Sequence, residues 1–216
     1  RKSLQLSPPK VSVLTARAEE FKAALEIKED SKLAVAFRKT GETSKINPTK
    51  AWGIGPVLYG SVSEWIIQDR KGLRKFNNFE RLVEQDPTGE IIQYVYVGDT
   101  GELDQEAGET MLKEYPEVVN AVFLHVVSAD PEDISAGLSI PSSKLINGRP
   151  LVFFRTYVGA AAKACSLGLL DGDGLMRVVE EAENALKTQG IPEESSKWMD
   201  LERDIHEAYR TLGEMY

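Results

Sequence analysis

An α/β fold with a parallel sheet covered by helices on both faces is the class this sequence predicts, and two observations carry the prediction. Short runs such as VSVL (11–14), VLY (57–59), YVYV (94–97) and VFLHVV (122–127) are rich in β-branched and aromatic residues and stop at small or polar ones. Between them lie longer segments with apolar residues at helical spacing, and after residue 157 the pattern is helical to the end.

VSVLTA (11–16) reads as a buried strand ending at Thr15-Ala16-Arg17. AEEFKAALE follows, with Phe21, Ala24 and Leu25 on one helical face. SKLAVAFRKTG (31–41) is a second helix, with Ser31 as its N-cap and Gly41 just past its end. Residues 42–56, rich in Gly, Pro, Thr, Ser and Asn, form a long loop before the strand PVLYGS (56–61). Residues 62–86 are helical with a break near Lys71-Gly72, and IIQYVYVGD (91–99) is the third strand. The helix DQEAGETMLKEY (104–115) is stopped by Pro116, because proline cannot continue the hydrogen-bond ladder. VNAVFLHVV (119–127) is strand four, a polar loop covers 128–149, and RPLVFFRTY supplies strand five. Three helices near 158–168, 173–188 and 195–213 close the chain. The expected organisation is an α/β core over 1–170 and a C-terminal helical extension over 171–216, packed on the core or on a partner.

A net charge of −8 argues against a general nucleic-acid or anionic-membrane binder, which carries a basic face. No apolar run approaches the ~18 residues that a membrane-spanning helix needs. The single cysteine, Cys165, permits no internal disulfide and fits a reducing intracellular compartment, with cytoplasm and organelle not distinguished. It lies in an alanine-rich helix and reads as a core thiol. The sequence starts at Arg1, and RKSLQLSPPK is a polar tail; it is read as a fragment or processed product with any targeting peptide upstream.

In parallel α/β sheets, ligands bind at the carboxyl ends of the strands. Asp99 follows YVYVG, with Asp104 five positions on. Two carboxylates in a glycine-containing turn make a hard-oxygen site suited to Mg²⁺; the alternative is that Asp99 caps a helix beginning near Thr100 and Asp104 is solvated. Thr15 either hydrogen-bonds a phosphate oxygen or caps the helix starting at Ala18. The basic cluster at residues 70–75 is a solvated helix face, or one of its lysines reaches a phosphate.

An apolar strand ending in Thr, a later Lys, then strand-G-D-x4-D resembles motifs two to four of the haloacid-dehalogenase-like (HAD) phosphatases. More narrowly, VSVLTARAEEFK, WGIGPVLYGSVSEW, RKFNNFE, YVYVGDTGELDQEAGETMLKEYP, AVFLHVVS and FFRTYVGAA resemble the family of the phosphatidate phosphatase catalytic domain of actin-patch proteins, nearest its plant, algal and protist members, over residues 10–188. The resemblance implies a HAD-like parallel sheet flanked by helices, with a helical C-terminal extension. It implies a Mg²⁺-dependent phosphomonoester hydrolase acting through an aspartyl-phosphate, with phosphatidate as the substrate of the family's name. Thr15 matches the hydroxyl that binds the phosphoryl group. Lys75 matches the lysine that steadies nucleophile and phosphate, with Lys71 as the fallback. Asp99 and Asp104 match the acids that hold Mg²⁺ and so screen the repulsion between carboxylate and phosphate.

One departure is large. The family attacks phosphorus with the first aspartate of a D-x-D-x-T motif, and none occurs in these 216 residues. Asp171-Gly-Asp173 has no strand before it and reads as a turn and helix cap. The motif order places the missing strand upstream of Arg1, so the chain alone is expected to be inactive. A rival reading is a non-catalytic HAD-like scaffold subunit of a larger assembly. It draws on the absent nucleophile and on the stripe Trp198, Leu201, Ile205, Tyr209 and Leu212, which either packs in the core or docks to a protein partner. His125 either approaches the pocket or is a satisfied buried histidine. Gly53-Ile-Gly55 precedes a strand rather than following one, and is discarded as a dinucleotide motif.

Overall fold

The computed structural model describes residues 11–18, 27–28, 30–43, 54–60, 71–89, 91–101, 103–127 and 140–215. The chain divides into two compact units, Arg1–Ile91 and Ile92–Tyr216.

In the first unit, β1 (Val11–Ala18) and β2 (Ile54–Gly60) pair in parallel, with Leu14 opposite Leu58. α1 (Lys32–Thr43) starts where Ser31 accepts the Ala34 N–H at 3.2 Å, the predicted cap. It runs through Gly41 to Thr43 instead of stopping before the glycine. A glycine inside a helix costs only about 1 kcal/mol, so it weakens a helix without ending it. α2 (Lys71–Glu84) runs through Gly72 without a break, and the expected helical stretch before it, at 62–70, lies outside the described residues. Its buried Phe76, Phe79 and Leu82 recur every three residues and form the stripe that packs on β1 and β2. The expected helix after Ala18 lies outside the described residues, as do residues 44–53 of the loop expected at 42–56, whose two ends are instead helix to Thr43 and strand from Ile54.

The second unit holds β3 (Tyr94–Asp99), α3 (Asp104–Glu114), β4 (Val119–His125), β5 (Lys144–Ile146), β6 (Arg149–Phe154), α4 (Tyr157–Ser166), α5 (Gly172–Thr188) and α6 (Ser196–Met215). Its sheet has the order β3-β4-β6-β5. The first three strands are parallel, and β5 runs antiparallel to β6, so the sheet is mixed rather than wholly parallel. The hairpin turns on Asn147-Gly148, both at positive φ (50° and 76°), the conformation that Asn-Gly turns adopt.

The central strands β4 and β6 are covered on both faces, while Val95 and Val97 of β3 stay exposed. Ala121, Phe123, Val152 and Phe154 pack under Ala160 and Ala164 of α4. On the other face α3 approaches so closely that a Cβ on Gly108 would stand 2.7 Å from Val122 Cγ1. α4, α5 and α6 share a second cluster around Val158, Leu175, Trp198 and Leu201. Trp198 Nε1 also donates to the Ile191 carbonyl at 2.9 Å, so its polar end is satisfied on burial. The apolar stripe of the last helix is thus turned into its own unit, except for exposed Tyr209. Asp171 caps α5 through the Gly174 N–H, as expected. Among the described residues no helix is long and apolar enough to cross a membrane.

Candidate functional site

Parallel pairing brings three strand ends into one row. Asp99 is the register partner of His125, and His125 of Phe154. Register partners in a parallel sheet send their side chains to the same face, with neighbouring strands about 4.8 Å apart. The carboxylate that ends β3 and the imidazole that ends β4 therefore leave the same face, at the carboxyl edge where α/β sheets bind ligands.

The turn after β3 is built by its own carboxylates. Asp99 Oδ1 accepts the Gly101 N–H at 2.7 Å, closing an Asx turn. Asp104, in the first turn of α3, accepts the Asp99 N–H on Oδ2 at 3.1 Å. Thr100 ties the turn to β4 twice: its N–H donates to the His125 carbonyl at 2.9 Å, and its Oγ1 accepts the Val127 N–H at 3.1 Å. The helix starts at Asp104 rather than near Thr100, so Asp99 is not a helix cap. Nor is Asp104 solvated; it is 5% exposed. Between the two acids, Leu103 sits at φ 60°, a left-handed conformation that is costly for a branched side chain.

Tyr96 lies beneath this turn. Burial, the neighbouring charge of Asp104, the hydrogen bond Tyr96 makes to that carboxylate and the more distant Asp99 all push its phenol above its usual value. It therefore remains a proton donor to Asp104 across the physiological range. The two acids are unequal: Asp104 is locked between a backbone N–H and a phenol, while Asp99 is only half-buried.

No protein-family model, curated protein or solved structure matches this chain.

Thr15 and Lys75 belong to the first unit. β1 continues three residues beyond Thr15, which is half-buried within the strand. The contact that organises this region comes from Asn78, which the sequence reading did not single out. Its Nδ2 donates to the Thr15 carbonyl at 3.1 Å and to the Leu58 carbonyl at 3.2 Å, joining β1 and β2 to α2. Its Oδ1 accepts from Arg81 Nη1 at 3.0 Å, and the same nitrogen donates to the Tyr59 carbonyl at 2.9 Å. A polar residue between Phe76 and Phe79 on a buried helical stripe was the sequence signal for it. Lys75 is buried three residues before Asn78, so the two share a helix face. Arg74 beside it is 2% exposed, and among the described residues its Nε has no hydrogen-bond partner. The side chain of Lys71 lies outside the described residues.

His125 Nε2 bonds the Arg155 carbonyl at 3.0 Å, and its ring stacks on Phe154, as a satisfied histidine would. Cys165 is buried. A cavity of about 360 Å³ lies between β6, α4 and α6. Its carboxylates already have partners: Asp204 takes Thr156 and Arg203, and Glu207 and Glu214 take Arg210. Among the described residues no group of three or more His, Cys, Asp and Glu side chains stands ready for a metal, and the Asp99 turn offers two carboxylates.

Proposed function

We propose that this chain carries the phosphate- and metal-binding part of a Mg²⁺-dependent phosphomonoester hydrolase of HAD-like fold, working through an aspartyl-phosphate. The observation that carries the reading is the turn after β3. A half-buried carboxylate at the carboxyl end of a parallel strand is held by a backbone N–H, and a second, buried carboxylate fixes that strand end. Two carboxylate oxygen donors fit Mg²⁺, which keeps several waters and is bound through one or two carboxylates plus a substrate phosphate. Asp99 and Asp104 would hold the ion, whose charge would offset the repulsion between an attacking carboxylate and a phosphate dianion. Thr15 would bind phosphoryl oxygens, and Lys75 would neutralise charge.

The nucleophile has to come from outside these residues, since no D-x-D-x-T occurs among them. The state of β3 is consistent with that. Among the described residues β3 is an edge strand of its sheet, so its outer backbone groups are open to a further strand. The chain by itself should be inactive. Phosphatidate is suggested only by the name of the family that the sequence resembles, and nothing in the turn itself selects a lipid over another phosphomonoester.

In the complete protein, Asp99→Asn should lower Mg²⁺-dependent turnover of phosphatidate or a simpler phosphomonoester by at least about a hundredfold. A complete wild-type protein with no Mg²⁺-dependent turnover on a phosphomonoester panel would sink the reading. The missing D-x-D-x-T favours a second reading, a non-catalytic HAD-like subunit of a larger assembly. On that reading Asp99→Asn costs a little stability and nothing else.

A further inference from the structure

An aromatic ledge continues the row that Asp99 begins. The His125 ring stacks on Phe154 with centroids 5.2 Å apart, and on Tyr157 at 5.8 Å with the planes 23° apart. The hydrogen bond from Nε2 to Arg155 fixes the imidazole in that orientation. Tyr157 is nonetheless 66% exposed. Phe154 meets the same ring, with centroids 5.6 Å apart and the planes 52° apart, so Tyr157 is held by two aromatic neighbours while most of it stays open. The backbone under it is fixed as well: Tyr157 opens α4, whose cap Thr156 accepts the Gly159 N–H at 3.0 Å and donates to Asp204 at 2.7 Å. Exposed Val97 and Val127 flank the Asp99 turn, and Val127 lies close enough that a Cβ on Gly101 would meet it at 3.3 Å.

A ring held by a stack and a capped helix has lost its rotamer freedom before any ligand arrives, so a flat group laid on its open face meets a small entropic cost. Aliphatic groups gain burial there, but not the further stabilisation of near-parallel stacking. We propose that Tyr157, backed by His125, is the specificity platform for the organic group of the phosphoester, and that it selects a planar aromatic one whose phosphoryl group sits at the Asp99 turn. The placement of the phosphoryl group rests on the hydrolase reading; the preference for a flat ring is read by binding alone.

Phosphonates test this without turnover, because their carbon–phosphorus bond is not a substrate for hydrolysis. Phenylphosphonate, cyclohexylphosphonate and methylphosphonate are titrated calorimetrically into the full chain in the presence of Mg²⁺. Phenylphosphonate should bind about tenfold tighter than the other two. Tyr157→Ala should bring it down to the methylphosphonate level without moving methylphosphonate itself, and Tyr157→Phe should keep the preference. The alanine variant loses the ring's contacts with His125 and Phe154, so its thermal midpoint should fall slightly, and a single cooperative transition checks that it is folded.

An intact phenyl preference in Tyr157→Ala would overturn the proposal. So would cyclohexylphosphonate binding as tightly as phenylphosphonate, which would mean apolar contact without stacking. Binding of none of the three would overturn it together with the phosphate site. A Tyr157-dependent preference in a protein whose complete form hydrolyses nothing would uphold the platform and remove the hydrolase reading.

Discussion

Gly98 shows how one missing side chain sets the acidic turn. A Cβ there would stand 2.6 Å from Asp104 Oδ2 and 2.8 Å from its Cβ, inside contact distance. Asp104 cannot swing away without releasing the Asp99 N–H and the Tyr96 phenol. Gly98→Ala should therefore destabilise the protein by about 1–3 kcal/mol, the usual cost of overpacking a tight site. Urea unfolding of the two proteins measures this, and equal midpoints would mean that Asp104 is not locked. At this scale part of the site could be read from sequence. Gly-Asp at the end of an apolar strand, with a second aspartate one helical turn on, is local information. The unequal burial of the two acids was not legible, because it depends on where α3 starts and on Tyr96 beneath it. Asn78 escaped for a similar reason: its partners, the carbonyls of Thr15 and Leu58, are distant in the chain.

At the scale of elements, β5 is the strand the sequence reading missed, although Asn147-Gly148 between KLI and RPLVFF is a strong short-range hairpin signal. The loop before it is polar and proline-containing, which drew residues 144–146 into one long connection. The hairpin is fastened to α3. Asn147 Nδ2 donates to the Lys113 carbonyl at 3.1 Å, near the end of that helix, and Lys144 Nζ meets Glu109 Oε1 at 2.8 Å. The hydrogen bond from Lys144, with a second from Gln105, holds the Glu109 carboxyl below its usual range. A carboxyl depressed in the folded state contributes stability that is full above the ordinary carboxylate range. That contribution is lost as pH falls through the lowered folded value. Lys144→Met should thus be slightly less stable than wild type at neutral pH, with the difference closing below about pH 4. Chemical denaturation at several pH values measures it; a gap that widens on acidification would contradict the assignment. Gly41 teaches the converse: a glycine near the end of a helical pattern marks a weak point, and α1 passes through it.

For the whole molecule, alternating apolar strands and helices made the α/β class legible, and parallel pairing of β1 with β2 and of β3, β4 and β6 agrees with it. The boundary between Ile91 and Ile92 was not legible, because IIQYVYVGD reads as one continuous strand. In the structure pairing begins only at Tyr94, and Ile92 is 77% exposed. Apolar composition alone does not say which residues find a partner strand. The central claim is that the Asp99 turn is a divalent-cation site, and Mg²⁺ titration of the full chain by calorimetry tests it most directly. The account predicts saturable binding in the wild-type protein that is lost in Asp99→Asn, with the thermal midpoint measured without Mg²⁺ changed little. Absence of binding, or binding that Asp99→Asn leaves intact, would contradict it.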